Sequence, residues 1–196
     1  MKTFPKGGVH PPENKLASGA AIKVLSLPEE VKIPVVQHLG APAKALVARN
    51  DMVKAGQVIA ESGGFVSSNI HSSVSGKVLK VDQLPDASGY KQGMVVIAVE
   101  GDEWVDTIDR SDELITDISA SKDEIIAKTL EMGIVGLGGA TFPTHVKLSI
   151  PRGKKAEVLI LNGVECEPYL TSDHRLMLEK GEELLVGTKI LMKALD

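Results

Sequence analysis

Between Val31 and Val99 the apolar residues come in short runs rich in β-branched side chains: Ile33 to Val36, Ala45 to Val47, Gln57 to Ala60, Val74 to Val81 and Met94 to Val99. Asn50-Asp51, Ser62-Gly63-Gly64, Pro85 to Gly89 and Gly101 punctuate them, so the spacing predicts a compact all-β unit. The first 25 residues, rich in Gly, Pro and Lys, follow neither the strand nor the helix period and predict an ordered arm or loop without a catalytic role. Residues 104–118 carry a run of Asp and Glu that reads as a solvated linker, with a domain boundary near residue 105. Beyond it, Ser121 and Glu124 have capping-box spacing, Ile125, Ile126, Thr129 and Leu130 recur with the helical period, and Gly133 suits the C′ position. A short helix is expected from Thr141 or Pro143, ending before Pro151. Ala156 to Asn162 reads as a buried parallel strand. Two helices, Asp173 to Lys180 and Glu182 to Leu195, should break at Gly181, with Leu184, Thr188, Leu191 and Leu195 along one face.

Inside the β unit, Asn50 to Ala60 followed by Ile70 to Val78 resembles the two halves of a lipoyl- or biotinyl-type barrel-sandwich hybrid. Carriers of that type bear an acceptor lysine at the hairpin tip between the halves. Here no lysine occurs from Ala55 to Gly76, and the tip reads Gly63 to Asn69, which excludes a swinging arm at that place. A structural or docking module remains, with His71 expected at the surface or in a hydrogen bond.

The 196 residues carry a formal net charge of −4 and 3% aromatics, so neither a basic footprint nor a base-stacking platform for nucleic acid is present. No apolar run approaches the roughly 20 residues that span a bilayer, and the first residues lack the apolar core of a signal peptide. One cysteine, Cys166, provides neither a disulfide framework nor a four-cysteine cluster motif.

The chemistry concentrates in two segments. In Gly133 to Lys147, glycines 136, 138 and 139 let backbone N–H groups converge on an anion, and Lys147 adds a mobile point charge. Taken alone, such a loop is equally well a turn. It follows a helix rather than a strand and lacks a Gly-Lys-Ser/Thr ending, which removes both the dinucleotide fingerprint and the P-loop. The second segment, Asn162 to Pro168, would leave the carboxyl end of the predicted strand, where ligands gather in open α/β sheets. Its Glu165, Cys166 and Glu167, with His174, read as a polar loop with a free thiol, not a zinc set.

In this order and spacing, Gly136-Leu-Gly-Gly-Ala-Thr-Phe-Pro-Thr-His-Val-Lys147 and Asn162-Gly-Val-Glu-Cys-Glu-Pro168 resemble the FMN- and NADH-binding segments of the flavoprotein subunit of respiratory complex I. The corresponding text there is close to G-R-G-G-A-G-F-P-T-G-x-K and N-A-D-E-x-E-P-G. With the opening Lys6-Gly-Gly-Val-His-Pro-Pro12, the variants here are specifically similar to the RnfC subunit of the Rnf electron-transport complex. Over nearly the whole chain, the resemblance implies an α/β plus all-β fold: a lipoyl-like barrel-sandwich hybrid over 26–105, then a truncated Rossmann-like FMN-binding domain over 106–196. It implies FMN as cofactor and NAD(H) as hydride partner, bound by Gly136, Gly138, Gly139, Phe142, Lys147, Asn162, Glu165 and Glu167 as binders and tuners rather than general acids. Val164 stands where the complex I text has an acid, Tyr169 where it has glycine, and Ile150 where an aromatic often stacks on the dinucleotide.

The same resemblance places two [4Fe-4S] clusters in sequence beyond Asp196, making these residues a fragment that is inactive by itself. Expected partners are the other subunits of a membrane electron-transport complex, NAD(H) and ferredoxin, with the protein peripheral on the cytoplasmic side of the inner membrane. The alternative is a non-catalytic docking module of a quinone-reductase-type complex that binds no nucleotide.

Overall fold

The computed structural model describes residues 11–137 and 139–195. They divide into two compact units, one of residues 26–156 with 190–195 and the other of residues 11–25 with 157–189. The opening Lys6 to His10, Gly138 and Asp196 lie outside the described residues.

Seven strands fill the first part of the larger unit: β1 (Glu30–Pro34), β2 (Lys44–Ala45), β3 (Met52–Val53), β4 (Val58–Glu61), β5 (Ile70–His71), β6 (Gly76–Pro85) and β7 (Lys91–Val99). One antiparallel sheet has the order β1-β7-β6-β3 and the other β2-β4-β5. Alternation along each strand sends one face inward, so Ile33 lies opposite Val95, and Val78 opposite Ile97. These four join Val53, Ile59, Ala60 and Ile70 in one buried apolar cluster drawn from both sheets. At roughly 1.5–3 kcal/mol for each fully buried Val or Ile, this cluster is the main apolar stabilisation of the barrel sandwich. A register shift after Val78 ends the buried part of β6, and beyond it Lys80, Val81 and Asp82 are exposed.

The acidic stretch is only partly a linker. Its carboxylates are exposed, but the Ala55 N–H donates to the Glu103 carbonyl at 2.9 Å and the Val105 N–H to the Ala55 carbonyl at 3.0 Å. Trp104 is half-buried, with the Arg110 guanidinium 4.7 Å from its ring centroid. Apolar anchors inside a charge run therefore tie it to the barrel, which net charge along the chain did not signal.

Helix α1 (Lys122–Glu131) starts with the expected reciprocal capping box between Ser121 and Glu124 and ends at Gly133, which takes φ +67°. Next comes α2 (Thr144–Leu148), short as expected, yet Pro143 is its N-cap rather than N1 and Thr141 takes φ +49° instead of capping. Ile125 of α1, Leu148 of α2 and Ala194 form a second buried cluster, with Ile190, Leu191 and Leu195 packed against it.

The predicted strand Ala156 to Asn162 is not formed. The segment is irregular, and Val158, Ile160 and Leu161 are exposed. A strand needs hydrogen-bond partners, and among the described residues every strand belongs to the two sheets of the barrel. The two closing helices appear where expected, as α3 (Ser172–Glu179) and α4 (Gly181–Leu195), and Leu184, Thr188, Leu191 and Leu195 are all half-buried.

Candidate functional site

The Gly-rich segment forms a loop closed at its base. Gly136 N–H donates to the Phe142 carbonyl at 3.0 Å, and Thr144 N–H donates to the Ile134 carbonyl at 3.0 Å. Between these bonds the tip is open: Leu137 and Gly139 are exposed, and Gly139 takes φ +156°. Lys147, one turn into α2, folds back over the base, its Nζ only 2.7 Å from where a Cβ on Gly136 would stand. Glycine at 136 is therefore what lets the ammonium reach the loop backbone. Among the described residues no carboxylate pairs with Lys147. A backbone loop with an unneutralised cation against it suits a phosphate-bearing ligand.

The barrel tip supports this loop. Where related carriers present a lysine, Phe65 is exposed, its carbonyl 2.9 Å from His145 Nε2 and its ring centroid 6.0 Å from the imidazole in an edge-to-face arrangement. Asn69 Nδ2 donates to the Glu131 carbonyl at 3.2 Å, and Leu39 N–H donates to the Thr141 carbonyl at 3.3 Å. At Gly133, a side chain would run into the Asn69 carbonyl and lie 3.1 Å from His71 Nδ1. The tip is thus a bearing for the loop, and His71 and His145 belong to it. His71, expected at the surface or in a hydrogen bond, is half-buried with Nε2 shielded and unpartnered; burial holds its pKa below the ordinary histidine value against the Glu131 charge and a hydrogen bond to the Glu131 backbone, both of which raise it. His145 carried no sequence signal beyond its place in the motif.

The second segment lies in the smaller unit. Asn162 Oδ1 accepts the Val164 N–H at 3.1 Å in a local turn. Glu165 Oε1 accepts the N–H groups of Asp173 at 2.8 Å and His174 at 3.2 Å, so its carboxylate caps α3. Glu167 and Cys166 are exposed, and Lys15 Nζ donates to the Glu167 carbonyl at 3.0 Å. Of the residues singled out from sequence, Gly136, Gly139, Phe142 and Lys147 share the loop of the larger unit, whereas Asn162, Glu165 and Glu167 share this segment. Gly138 lies outside the described residues. Sequence reasoning missed Lys15, whose only mark was its place at the end of a Gly- and Pro-rich stretch.

Comparison with known proteins bears on both segments. Residues 2–103 match the family described as the RnfC barrel sandwich hybrid domain, and residues 129–196 match the Nuo51 FMN-binding domain. The chain is 46% identical over 198 residues to the C subunit of the proton-translocating ferredoxin:NAD(+) oxidoreductase complex of Clostridium ljungdahlii, covering 100% of this chain and 42% of that protein. With the C subunit of the Na(+)-translocating ferredoxin:NAD(+) oxidoreductase complex of Acetobacterium woodii, identity is 46% over 190 residues, covering 96% of this chain and 42% of that one. The C subunit of the ion-translocating oxidoreductase complex of Rhodobacter capsulatus is 41% identical over 194 residues, covering 97% and 37% respectively. This chain therefore spans less than half the length of these relatives. It belongs to the RnfC family, with that family's barrel-sandwich hybrid domain followed by sequence of the Nuo51 FMN-binding domain.

Proposed function

We propose that this chain is the barrel-and-flavin-loop part of an RnfC-type subunit that passes electrons between NAD(H), FMN and iron–sulfur clusters in an ion-translocating ferredoxin:NAD+ oxidoreductase complex. The observation that carries the reading is Lys147, held over Gly136 with no carboxylate among the described residues to neutralise it. In this reading Lys147 binds the FMN phosphate, the backbone at Gly136, Gly138 and Gly139 lines the nucleotide, and Phe142 lies close to the dinucleotide. Asn162, Glu165 and Glu167 tune the flavin and nicotinamide surroundings. Bound FMN would supply the chemistry, accepting hydride from NADH and passing electrons on one at a time. The protein contributes orientation and charge.

The domain division we assign is an arm over 1–25, the lipoyl-like barrel sandwich over 26–105 and the FMN/NADH-binding part over 106–196. With Cys166 as the one cysteine, cluster ligation is assigned to parts of the subunit outside these residues. These residues alone are expected to be inactive. No helix among the described residues is long and apolar enough to cross a membrane, so docking on the cytoplasmic side is assigned to contacts with other subunits. Ferredoxin is the proposed electron partner.

Replacing Lys147 with methionine in the full-length subunit tests the reading. Loss of a charge-assisted contact of about 1.5–3 kcal/mol weakens FMN binding roughly 10- to 100-fold. Equal FMN affinity in wild type and Lys147→Met would remove the lysine from the site. Failure of the wild type to bind FMN would favour the docking-module reading.

A further inference from the structure

Polar contacts run between the arm and the second segment within the smaller unit. Among the described residues neither buried apolar cluster includes one of its members, and α3 buries none of its side chains. Its second segment ends in the turn from Glu167 to Leu170, where Tyr169 takes φ +69°. A bulky L-residue occupies that left-handed region only when its surroundings hold it there. The N-terminal arm supplies the hold through three consecutive residues.

Tyr169 N–H donates to the Glu13 carbonyl at 2.8 Å, and Asn14 Nδ2 donates to the Tyr169 hydroxyl at 3.3 Å. Lys15 Nζ donates to the Glu167 carbonyl at 3.0 Å and the Leu170 carbonyl at 2.9 Å, bracketing the strained residue from both sides. Further along the arm, Arg175 donates to the Ser18 carbonyl at 3.2 Å, and the Glu179 carboxylate accepts the Ile22 N–H at 3.1 Å. An ammonium has three donors and suits two diverging carbonyls. Upstream, Glu165 is fixed by its bonds to α3. The segment from Asn162 to Glu167 thus has an anchor on α3 and another on the arm.

We propose that Lys15 is a positioning residue for the candidate nucleotide segment. By clamping the Glu167–Leu170 turn around Tyr169, it fixes how Asn162, Glu165 and Glu167 are presented to a flavin nucleotide. The positioning role rests on the functional reading given above; the clamp itself does not. It also explains how tyrosine is tolerated at a position whose backbone suits glycine, the residue that the complex I text carries there.

The test uses the full-length subunit as wild type, Lys15→Met, Lys15→Arg and the double variant Lys15→Met with Tyr169→Gly. Amide hydrogen exchange is followed in peptides covering residues 163–171, and FMN affinity by flavin fluorescence titration. Lys15→Met should speed exchange in this stretch roughly tenfold and weaken FMN binding by a similar factor. Lys15→Arg, which keeps charge and donors, should stay within about twofold of wild type. Tyr169→Gly should remove most of the Lys15→Met effect, because glycine needs no clamp at positive φ. Unchanged exchange in Lys15→Met would overturn the clamp, and faster exchange with unaltered FMN affinity would overturn the positioning role. A wild type that binds no FMN would instead sink the functional reading, and the exchange difference would still decide the clamp.

Discussion

Gly133 and His71 meet where the barrel tip touches the end of α1, and each makes a measurable demand. Gly133 takes φ +67° and has the Asn69 carbonyl and His71 Nδ1 in the space a side chain would need. Gly133→Ala combines backbone strain with a clash and should destabilise the larger unit by more than about 1 kcal/mol, read as a lower urea midpoint. His71 is held below the ordinary histidine pKa of 6.5 by burial. A depressed histidine leaves the native state fully stable above 6.5 and costs stability as pH falls from there through the folded-state value. Between pH 7.5 and 5.5 the wild type should therefore lose more stability than His71→Gln; equal losses would remove His71 as the cause. The singled-out glycines and Lys147 stand out in the sequence because the loop proposed to hold a ligand needs missing side chains and a cation. Lys15 does not, since its role depends on two carbonyls about 150 positions away in the chain.

At the scale of elements, the sequence was most readable where local rules decide. The Ser121–Glu124 box, the Gly133 stop and the break between α3 and α4 all depend on residues within one turn. Ser121→Ala should cost about 1 kcal/mol of stability. Glu124 is held below its ordinary pKa chiefly by the Ser121 backbone N–H, so its contribution is present above the ordinary glutamate range and is lost as pH falls through the folded value. The acid limb of the stability profile should accordingly flatten in Glu124→Gln. In the barrel, the short apolar runs marked the strands that build the core: Ile59, in the run Gln57 to Ala60, is fully buried, and Ile59→Ala should cost about 2–5 kcal/mol by thermal or chemical unfolding. The failure at 156–162 has the opposite origin. Composition reports that a run can be buried, but pairing depends on a neighbour that composition cannot supply, and Val158 and Ile160 stay exposed without one.

For the whole molecule, the barrel sandwich changes meaning once its tip is seen against the Gly-rich loop. A fold that elsewhere carries a mobile prosthetic arm is here joined through Phe65–His145 and Leu39–Thr141 to the segment proposed to hold FMN, and through Asn69 to the end of α1 before it. That tip carries no lysine from Ala55 to Gly76. In the proposed function this loop and its lysine form part of an FMN site reduced by NADH. The most direct measurement is the visible absorbance of the FMN-reconstituted full-length subunit before and after anaerobic addition of NADH. The wild type should show a protein-bound flavin spectrum that bleaches with NADH, and Lys147→Met a markedly lower bound-flavin fraction. A wild type that retains no FMN, or a bound flavin that NADH leaves oxidised, would contradict the proposed function.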